Sequence, residues 1–179
     1  PEVNDEVLVG FEHGDIHHPY VLGGVWNGKD KPPEAVTDSV MDGKVRLRTF
    51  KTRTGHRLQF VEEDKGSIKK GVYLDTVYNH HLHLNDTEQF IEAKTKNGHY
   101  LRLDDKNKKA EVQTQNGHYV LLDDGGGKIE LKCGGTTITM KKMGNSITIK
   151  GTSITLDAQK IDIKATGPVA VKGTPIKLN

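Results

Sequence analysis

The stretch that decides the fold, residues 128–179, reads KIELKCGGTTITMKKMGNSITIKGTSITLDAQKIDIKATGPVAVKGTPIKLN. It contains no aromatic residue, yet aliphatic residues recur in pairs at positions i and i+2, each pair followed by small or turn-forming residues. The pairs are Ile129/Leu131, Ile138/Met140, Ile147/Ile149, Ile154/Leu156, Ile161/Ile163, Val169/Val171 and Ile176/Leu178. Their first members lie 9, 9, 7, 7, 8 and 7 residues apart. Because alternate residues of a strand share one face, each pair predicts a short strand, and the repetition predicts a rod.

The composition leaves little material for a globular core. Hydrophobic residues make up 34% of the 179 residues, and the mean hydropathy is -0.61. No apolar run approaches the roughly 18 residues that span a bilayer, and no signal-type segment opens the chain, so we expect a soluble protein without a signal peptide. The first residue is Pro1 rather than Met, which indicates a processed or partial chain. The single cysteine, Cys133, permits no internal disulfide and is expected to serve as a small apolar group.

Positive charge is concentrated at the carboxyl-terminal end. The whole chain carries a net charge of +2, whereas residues 134–179 contain seven lysines and two aspartates, a net +5. Lysines that alternate with aliphatic residues are typical of a solvated face that protects strand edges. Attraction to a polyanion or a membrane surface is the second interpretation.

Residues 1–33 differ from the rest of the chain. Strands are predicted at 6–9 and 20–22, with a turn at 12–15 between them. The paired prolines Pro32 and Pro33 forbid regular pairing and mark a boundary. No proline occurs between Glu34 and Gly167, as expected where many strands donate to sheet ladders.

A longer repeat precedes the aliphatic ladder. Asn97–Asp105 (NGHYLRLDD) recurs 19 residues later as Asn116–Asp124 (NGHYVLLDD), and 55–64 is a looser copy. Each copy combines a turn glycine, a strand and an acidic turn, which predicts one hairpin-like rung. We therefore expect a wider β-prism over 34–127, a narrow triple-stranded β-helix over 128–179, and very little helix.

The length of the short repeat bears on the number of chains. A strand and a corner of about seven residues cover one face of a prism, whereas a single-chain solenoid needs about 18 to 25 residues per coil. Three chains that each supply one face would close the coil, so we expect an intertwined homotrimer with the aliphatic pairs in its core. Three consecutive units forming one coil of a single-chain β-solenoid, as in an adhesin or polysaccharide-binding rod, is the alternative.

At this point the residues resemble a known family. Residues 1–15 (PEVNDEVLVGFEHGD) and 19–29 (PYVLGGVWNGK) are similar to the end of the OB-fold barrel of VgrG spike proteins, found in type VI secretion and related phage-like contractile injection systems. The Gly-His-strand-Asp-Asp repeats resemble the β-prism that follows this barrel in the family. The resemblance covers nearly the whole chain and implies the carboxyl-terminal part of such a spike.

The resemblance also implies a function and partners. A rigid homotrimeric needle would be assembled in the cytoplasm on upstream hub, baseplate and tube proteins, exported by sheath contraction, and driven mechanically through a target membrane. Its blunt tip, comprising Ile176, Lys177, Leu178 and Asn179, would seat a PAAR-type tip protein. The hub domain and the first barrel strands are missing, so 1–33 cannot close a barrel alone. Nothing follows Asn179, so we expect no appended effector domain.

Histidines are the candidate metal ligands. His81 and His83 in the sequence HHLH (80–83) occupy alternate positions and share a strand face. In a trimer, six such imidazoles could converge on the axis and bind a transition metal. Solvated or turn-packed histidines are the competing interpretation, and the Gly-His pairs at 56, 99 and 118 fit repeat corners.

Other chemistry finds little support. Asp104/Asp105 and Asp123/Asp124 are adjacent, so the two carboxylates of a pair point to opposite faces, and turn formation explains them. The chain has no GxSxG, no HExxH and no phosphate-binding glycine loop, so we expect no enzyme and no catalytic residue. The truncated barrel has only Phe11, Tyr20 and Trp26 as aromatic residues, so we expect no nucleic-acid partner.

Overall fold

The computed structural model describes residues 1–29 and 31–176, and nearly all of its regular structure is β-strand. Within these residues, helix is limited to a 3₁₀ turn at Glu12–Gly14 and one α-helical turn, α1, at Val36–Ser39. The predictions of an all-β chain and of very little helix are therefore confirmed.

Two small hairpins precede the main sheet. Strands β1 (Val7–Phe11) and β2 (Pro19–Gly24) pair antiparallel around the 3₁₀ turn, which confirms the predicted pair of strands. Strands β3 (Val40–Met41) and β4 (Lys44–Val45) form the second hairpin after α1. Each hairpin is a separate two-stranded sheet.

The remaining strands form one antiparallel sheet in which every strand pairs with its neighbours in sequence. Its eleven strands are β5 (Leu47–Lys51), β6 (Arg57–Val61), β7 (Gly71–Asp75), β8 (His81–Asn85), β9 (Phe90–Lys94), β10 (Tyr100–Asp104), β11 (Lys109–Gln113), β12 (Tyr119–Asp123), β13 (Lys128–Cys133), β14 (Thr136–Lys141) and β15 (Ser146–Lys150). The predicted rungs are thus hairpins of a continuous meander. Thr87–Ala93, which fits a helix or a strand by pattern, contributes to β9.

Threonine and histidine fix the corners along one edge of the sheet. Thr95 Oγ1 accepts a hydrogen bond from the backbone N–H of His99 at 3.2 Å, and Thr114 and His118 repeat this contact at 3.2 Å. Nδ1 of His99 in turn accepts from the backbone N–H of Gln115, in the next such corner, at 3.2 Å. The Gly-His pairs are therefore corner residues that link successive hairpins.

Buried carboxylates fix the corners at the opposite edge. Asp104 Oδ1 accepts from the backbone N–H of Asn107 at 2.8 Å, and Asp123 Oδ1 accepts from that of Gly126 at 2.7 Å. The two aspartates are only 7% and 9% exposed. The first aspartate of each Asp-Asp pair is thus a turn cap, as the pattern predicts.

The strand register continues through the predicted boundary at residues 127 and 128. Asp123, the last residue of β12, pairs with Lys128, the first residue of β13. The glycines 125–127 form the turn between these strands. The main sheet therefore runs through the second boundary without a break. The division into units 1–33, 34–127 and 128–179 stays a prediction.

The sheet has almost no interior of its own. Among the described residues, only Leu47 and Val61 are buried apolar side chains, and they pair with each other at the β5–β6 end. The described part of the chain also contains no helix that is both long and apolar enough to cross a membrane. Apart from Val61, the apolar residues of β6–β15 are therefore at least partly exposed.

Candidate functional site

One face of the main sheet is apolar from β6 to β15. The cross-strand register aligns the i and i+2 residues of all ten strands into two parallel rows, which we call the apolar face. The first row is Leu58, Leu74, Leu82, Ala93, Leu101, Val112, Val120, Leu131, Ile138 and Ile149. The second row is Phe60, Val72, Leu84, Ile91, Leu103, Ala110, Leu122, Ile129, Met140 and Ile147.

These rows are exposed in the single chain. Leu101 and Leu103 are 45% and 46% exposed, and Ile129 and Ile138 are each 39% exposed. Soluble monomers rarely expose a continuous apolar patch beyond a few hundred Å². In the described residues, no other layer packs on this face. We therefore expect a face of this length to be covered in the assembled protein.

Seven of the ten strands that form this face, β6–β12, lie before the aliphatic pairs of residues 128–179. The same i and i+2 spacing occurs at Leu58/Phe60, Leu82/Leu84 and Leu101/Leu103, well before residue 128. These positions are not among the predicted core residues, because the 19-residue repeat was interpreted through the glycines and aspartates of its corners. The alternation itself is the signal that identifies them.

The predicted core residues fall into two groups. Ile129/Leu131, Ile138/Met140 and Ile147/Ile149 lie on the apolar face. The later pairs occur where the described chain forms no strand, and their side chains are exposed. These later residues are Ile154, Leu156, Ile161, Ile163, Val169, Val171 and Ile176.

Part of the predicted tip can be placed. Ile176 is described, and its side chain is 51% exposed. Lys177, Leu178 and Asn179 lie outside the described residues. The role of this end stays a prediction.

The opposite face of the sheet carries charged and aromatic side chains, and we call it the polar face. Along its middle row, Glu92, Arg102, Glu111, Leu121 and Glu130 are successive cross-strand partners. Within this row, Nη1 of Arg102 lies 3.6 Å from Oε2 of Glu92. This face satisfies its own polar groups through such pairs.

A tyrosine on the polar face illustrates the coupling. The hydroxyl of Tyr119 donates a hydrogen bond to the carboxylate of Glu130. This hydrogen bond, together with burial, raises the pKa of Tyr119 to about 12. The hydrogen bond adds a side-chain contact between the neighbouring strands β12 and β13.

His81 and His83 lie on the polar face, next to the end of β7. The side chains of Asp75, His81 and His83 each offer a ligand atom within 4.8 Å of the others. Nε2 of His83 is 2.8 Å from Oδ1 of Asp75, and the two imidazole rings stack with their centroids 4.0 Å apart. Asp75 and His81 are direct cross-strand partners, which explains why the three residues meet.

Two further groups hold the cluster in place. Nε2 of His81 lies 3.0 Å from Oε1 of Glu92, on the neighbouring strand β9. Nη2 of Arg57 donates to Oδ2 of Asp75 at 2.8 Å. Burial raises the pKa of Asp75, but hydrogen bonds from His83 and Arg57 outweigh burial and hold the pKa below its ordinary value. The Asp75 carboxylate is therefore ionised at neutral pH.

The position of these histidines changes the geometry of any metal site. His81 and His83 share a face with each other, as predicted, but Leu82 between them belongs to the apolar face. A single axis cannot be lined by both faces of this sheet. If the apolar face lines the axis, the histidines point away from it.

The amino-terminal hairpin is similar to a known family. Residues 1–26 match the family described as the type VI secretion system/phage-baseplate injector OB domain. No curated protein matches the chain. The matched segment contains β1, the 3₁₀ turn and β2, which supports the resemblance at the level of the injector family. An injector-type OB segment at the start of an all-β chain indicates a structural role in an injection system.

Proposed function

We propose that this chain is the carboxyl-terminal part of a VgrG-type spike, which acts mechanically as a rigid homotrimer to puncture a membrane. The observation that carries this proposal is the continuous apolar face of an eleven-stranded sheet, in a chain whose first 26 residues match an injector-type OB domain. Three copies that turn this face inward would form a β-prism with a dry interior and a polar exterior. The proposal assigns no catalysis to the chain.

The surface area of one chain supports an obligate assembly. A compact monomer of 19.8 kDa has an accessible surface of about 8,600 Å². This chain exposes 14473 Å². An excess of thousands of Å² lies in the range that obligate interfaces bury, which run from about 2,000 to more than 5,000 Å². The proposed trimer would remove the apolar face from water, and pairing of residues 151–176 with other chains would remove a further part of the excess.

The segment after Lys150 also supports partner chains. Residues 151–176 form no strand in the single chain, although their aliphatic pairs keep the alternation of a strand. If these aliphatic residues are buried in an assembly, the backbone groups beside them lose their contact with water and need hydrogen-bond partners. Units of seven residues are too short for one chain to pair with its own next coil, whereas strands from two other copies at the same level would supply the partners.

The pairing pattern disfavours the single-chain solenoid. A coil of a parallel β-helix pairs each strand with the strand one full coil later, in parallel orientation. In the described residues, every ladder of the main sheet is antiparallel and joins neighbours in sequence. An adhesin-like or polysaccharide-binding solenoid is therefore the weaker candidate.

The partners and the route follow from this proposal. The hairpin would continue from an upstream barrel and hub, which sit on the baseplate and tube. The carboxyl-terminal end would seat a PAAR-type tip protein. The assembled spike would leave the cytoplasm when the sheath contracts and pass into the extracellular space or the target cell.

The oligomeric state provides the first test. Light scattering and native mass spectrometry of the chain are expected to give three times the mass of 19.8 kDa, independent of concentration in the micromolar range. A monomer that leaves the apolar face in water would overturn the trimer.

Export provides the second test. In cells that assemble a contractile machine, the full-length parent protein is expected to reach the culture medium only when the sheath is functional. Equal release from a sheath-deficient strain would refute the role as a spike.

A further inference from the structure

Three potential metal ligands converge on the polar face without help from another chain. Asp75 is the last residue of β7, His81 is the first residue of β8, and His83 follows on the same face. Their ligand atoms lie within 4.8 Å of one another. Two atoms that ligate the same ion at about 2.0 to 2.2 Å lie at most about 4.4 Å apart. Small side-chain rotations would therefore bring these three ligand atoms onto one ion.

Exposure and charge fit an entry site for a cation. The side chains of His81, His83 and Asp75 are 21%, 23% and 26% exposed, so an ion can reach them from solvent. The two oxygens of Asp75 are divided between two neighbours: Oδ2 accepts from Arg57, while Oδ1 faces His83. An ion bound between Oδ1 and His83 would replace their mutual hydrogen bond, while Arg57 would hold the carboxylate through Oδ2.

Glu92 supplies the outer contact that metal-binding histidines usually have. Its carboxylate lies 3.0 Å from Nε2 of His81. In metal sites, a carboxylate that holds the second ring nitrogen of a histidine fixes the orientation of the ring and raises its basicity. The cluster thus contains three ligands and a carboxylate that orients one of them.

We propose that Asp75, His81 and His83 form a divalent transition-metal site of the zinc class within each chain, with Glu92 positioning His81. Two imidazoles and one carboxylate suit Zn²⁺ and its first-row neighbours, and they leave a coordination position open for water. The ion would tie the end of β7 to the start of β8 across the corner at residues 76–80. Because all the ligands come from one chain, the stoichiometry is one ion per chain, in contrast to a shared site on a threefold axis.

The test measures Zn²⁺ binding to the tag-free chain in its native oligomeric state. Isothermal titration calorimetry and elemental analysis after dialysis give affinity and stoichiometry for the wild type and for H83A, D75N and E92Q. The matched control is H56A, which removes a corner histidine that is not one of the three proposed ligands. Far-UV circular dichroism confirms that each variant is folded, and the nearly isosteric D75N and E92Q keep the test valid if H83A fails to fold.

We expect one Zn²⁺ per chain in the wild type and in H56A. Binding should weaken at least tenfold in H83A and D75N, and by about 10- to 100-fold in E92Q. One ion per three chains, no binding above that of scattered surface histidines, or unchanged affinity in folded H83A and D75N would each overturn the site. Because the geometry lies within a single chain, the result does not depend on the proposed spike function.

Discussion

The proposed trimer interior can be tested with two adjacent leucines of β12 that point to opposite faces. Leu122 belongs to the apolar face and is 46% exposed, whereas Leu121 lies on the polar face between Glu111 and Glu130. L122K places a lysine in the proposed dry interior. L121K places the same lysine between two carboxylates, where opposite charges on facing strands contribute about 0.2 to 1 kcal/mol each.

The magnitudes separate the two variants clearly. Complete burial of a leucine side chain is worth about 1.5 to 3 kcal/mol, and the 46% still exposed represents roughly 0.7 to 1.4 kcal/mol per chain, or about 2 to 4 kcal/mol per trimer. Each buried and unpaired ammonium costs several kcal/mol more, and three of them would lie near a common axis. The total for L122K is therefore on the order of 10 kcal/mol per trimer or more, while L121K is expected to be neutral or slightly stabilising.

The assay combines light scattering with thermal denaturation followed by circular dichroism. L121K should keep the trimeric mass and the melting temperature of the wild type. L122K should give monomer or aggregate with a lower melting temperature. A trimeric L122K with an unchanged melting temperature would show that the apolar face is not the interior, and the reasoning from its exposure would fail.

Two further variants test the sheet itself. Gly71 has a φ of 151°, and a Cβ there would overlap the backbone oxygen of Leu84. G71A should therefore lower the free energy of unfolding, measured by urea denaturation, by about 1 to 3 kcal/mol or more. A Cβ at Gly23 would meet nothing within 4 Å, so G23A is the control that should change the stability little. Burial raises the pKa of Asp104, but hydrogen bonds from Asn107 outweigh it and lower the pKa below 3.8. Because the folded chain binds its proton less readily, this stabilisation is present above the unfolded pKa and disappears as pH falls through the folded one. The melting temperatures of D104N and wild type should therefore differ at pH 7, and the difference should shrink only as the pH falls below 3.8. A constant difference would contradict this assignment.

Much of the sheet could be predicted because its local signals are strong. Aliphatic residues at i and i+2, such as Ile138 and Met140, predict a strand with one apolar face, since strand side chains alternate. Asn-Gly and Asp-Asp predict corners because their residues accept left-handed or capped turn conformations. The hairpin at residues 1–26 follows from the same rules. These features depend only on neighbours in sequence.

The cluster at Asp75 could not be predicted by the same rules. The alternation of His81 and His83 is visible in the sequence, but Asp75 joins them only because the corner at residues 76–80 sets the register that pairs Asp75 with His81. A shift of one residue would move Asp75 to the other face. Periodicity gives the face of a side chain, whereas register gives its neighbours.

The direction of the ladder hydrogen bonds gives a physical reason why this sheet would suit the proposed spike, which is loaded in compression. In a meander, the strands are stacked along the direction of their ladder hydrogen bonds, and ten steps of about 4.8 Å give a stack of about 48 Å. If this direction lies along the needle, compression presses each strand against the next at van der Waals distance. Tension along the same direction would open one ladder at a time. A shaft of this construction resists being driven forward far better than being pulled apart, and the inward packing of three apolar faces would keep the stack from buckling.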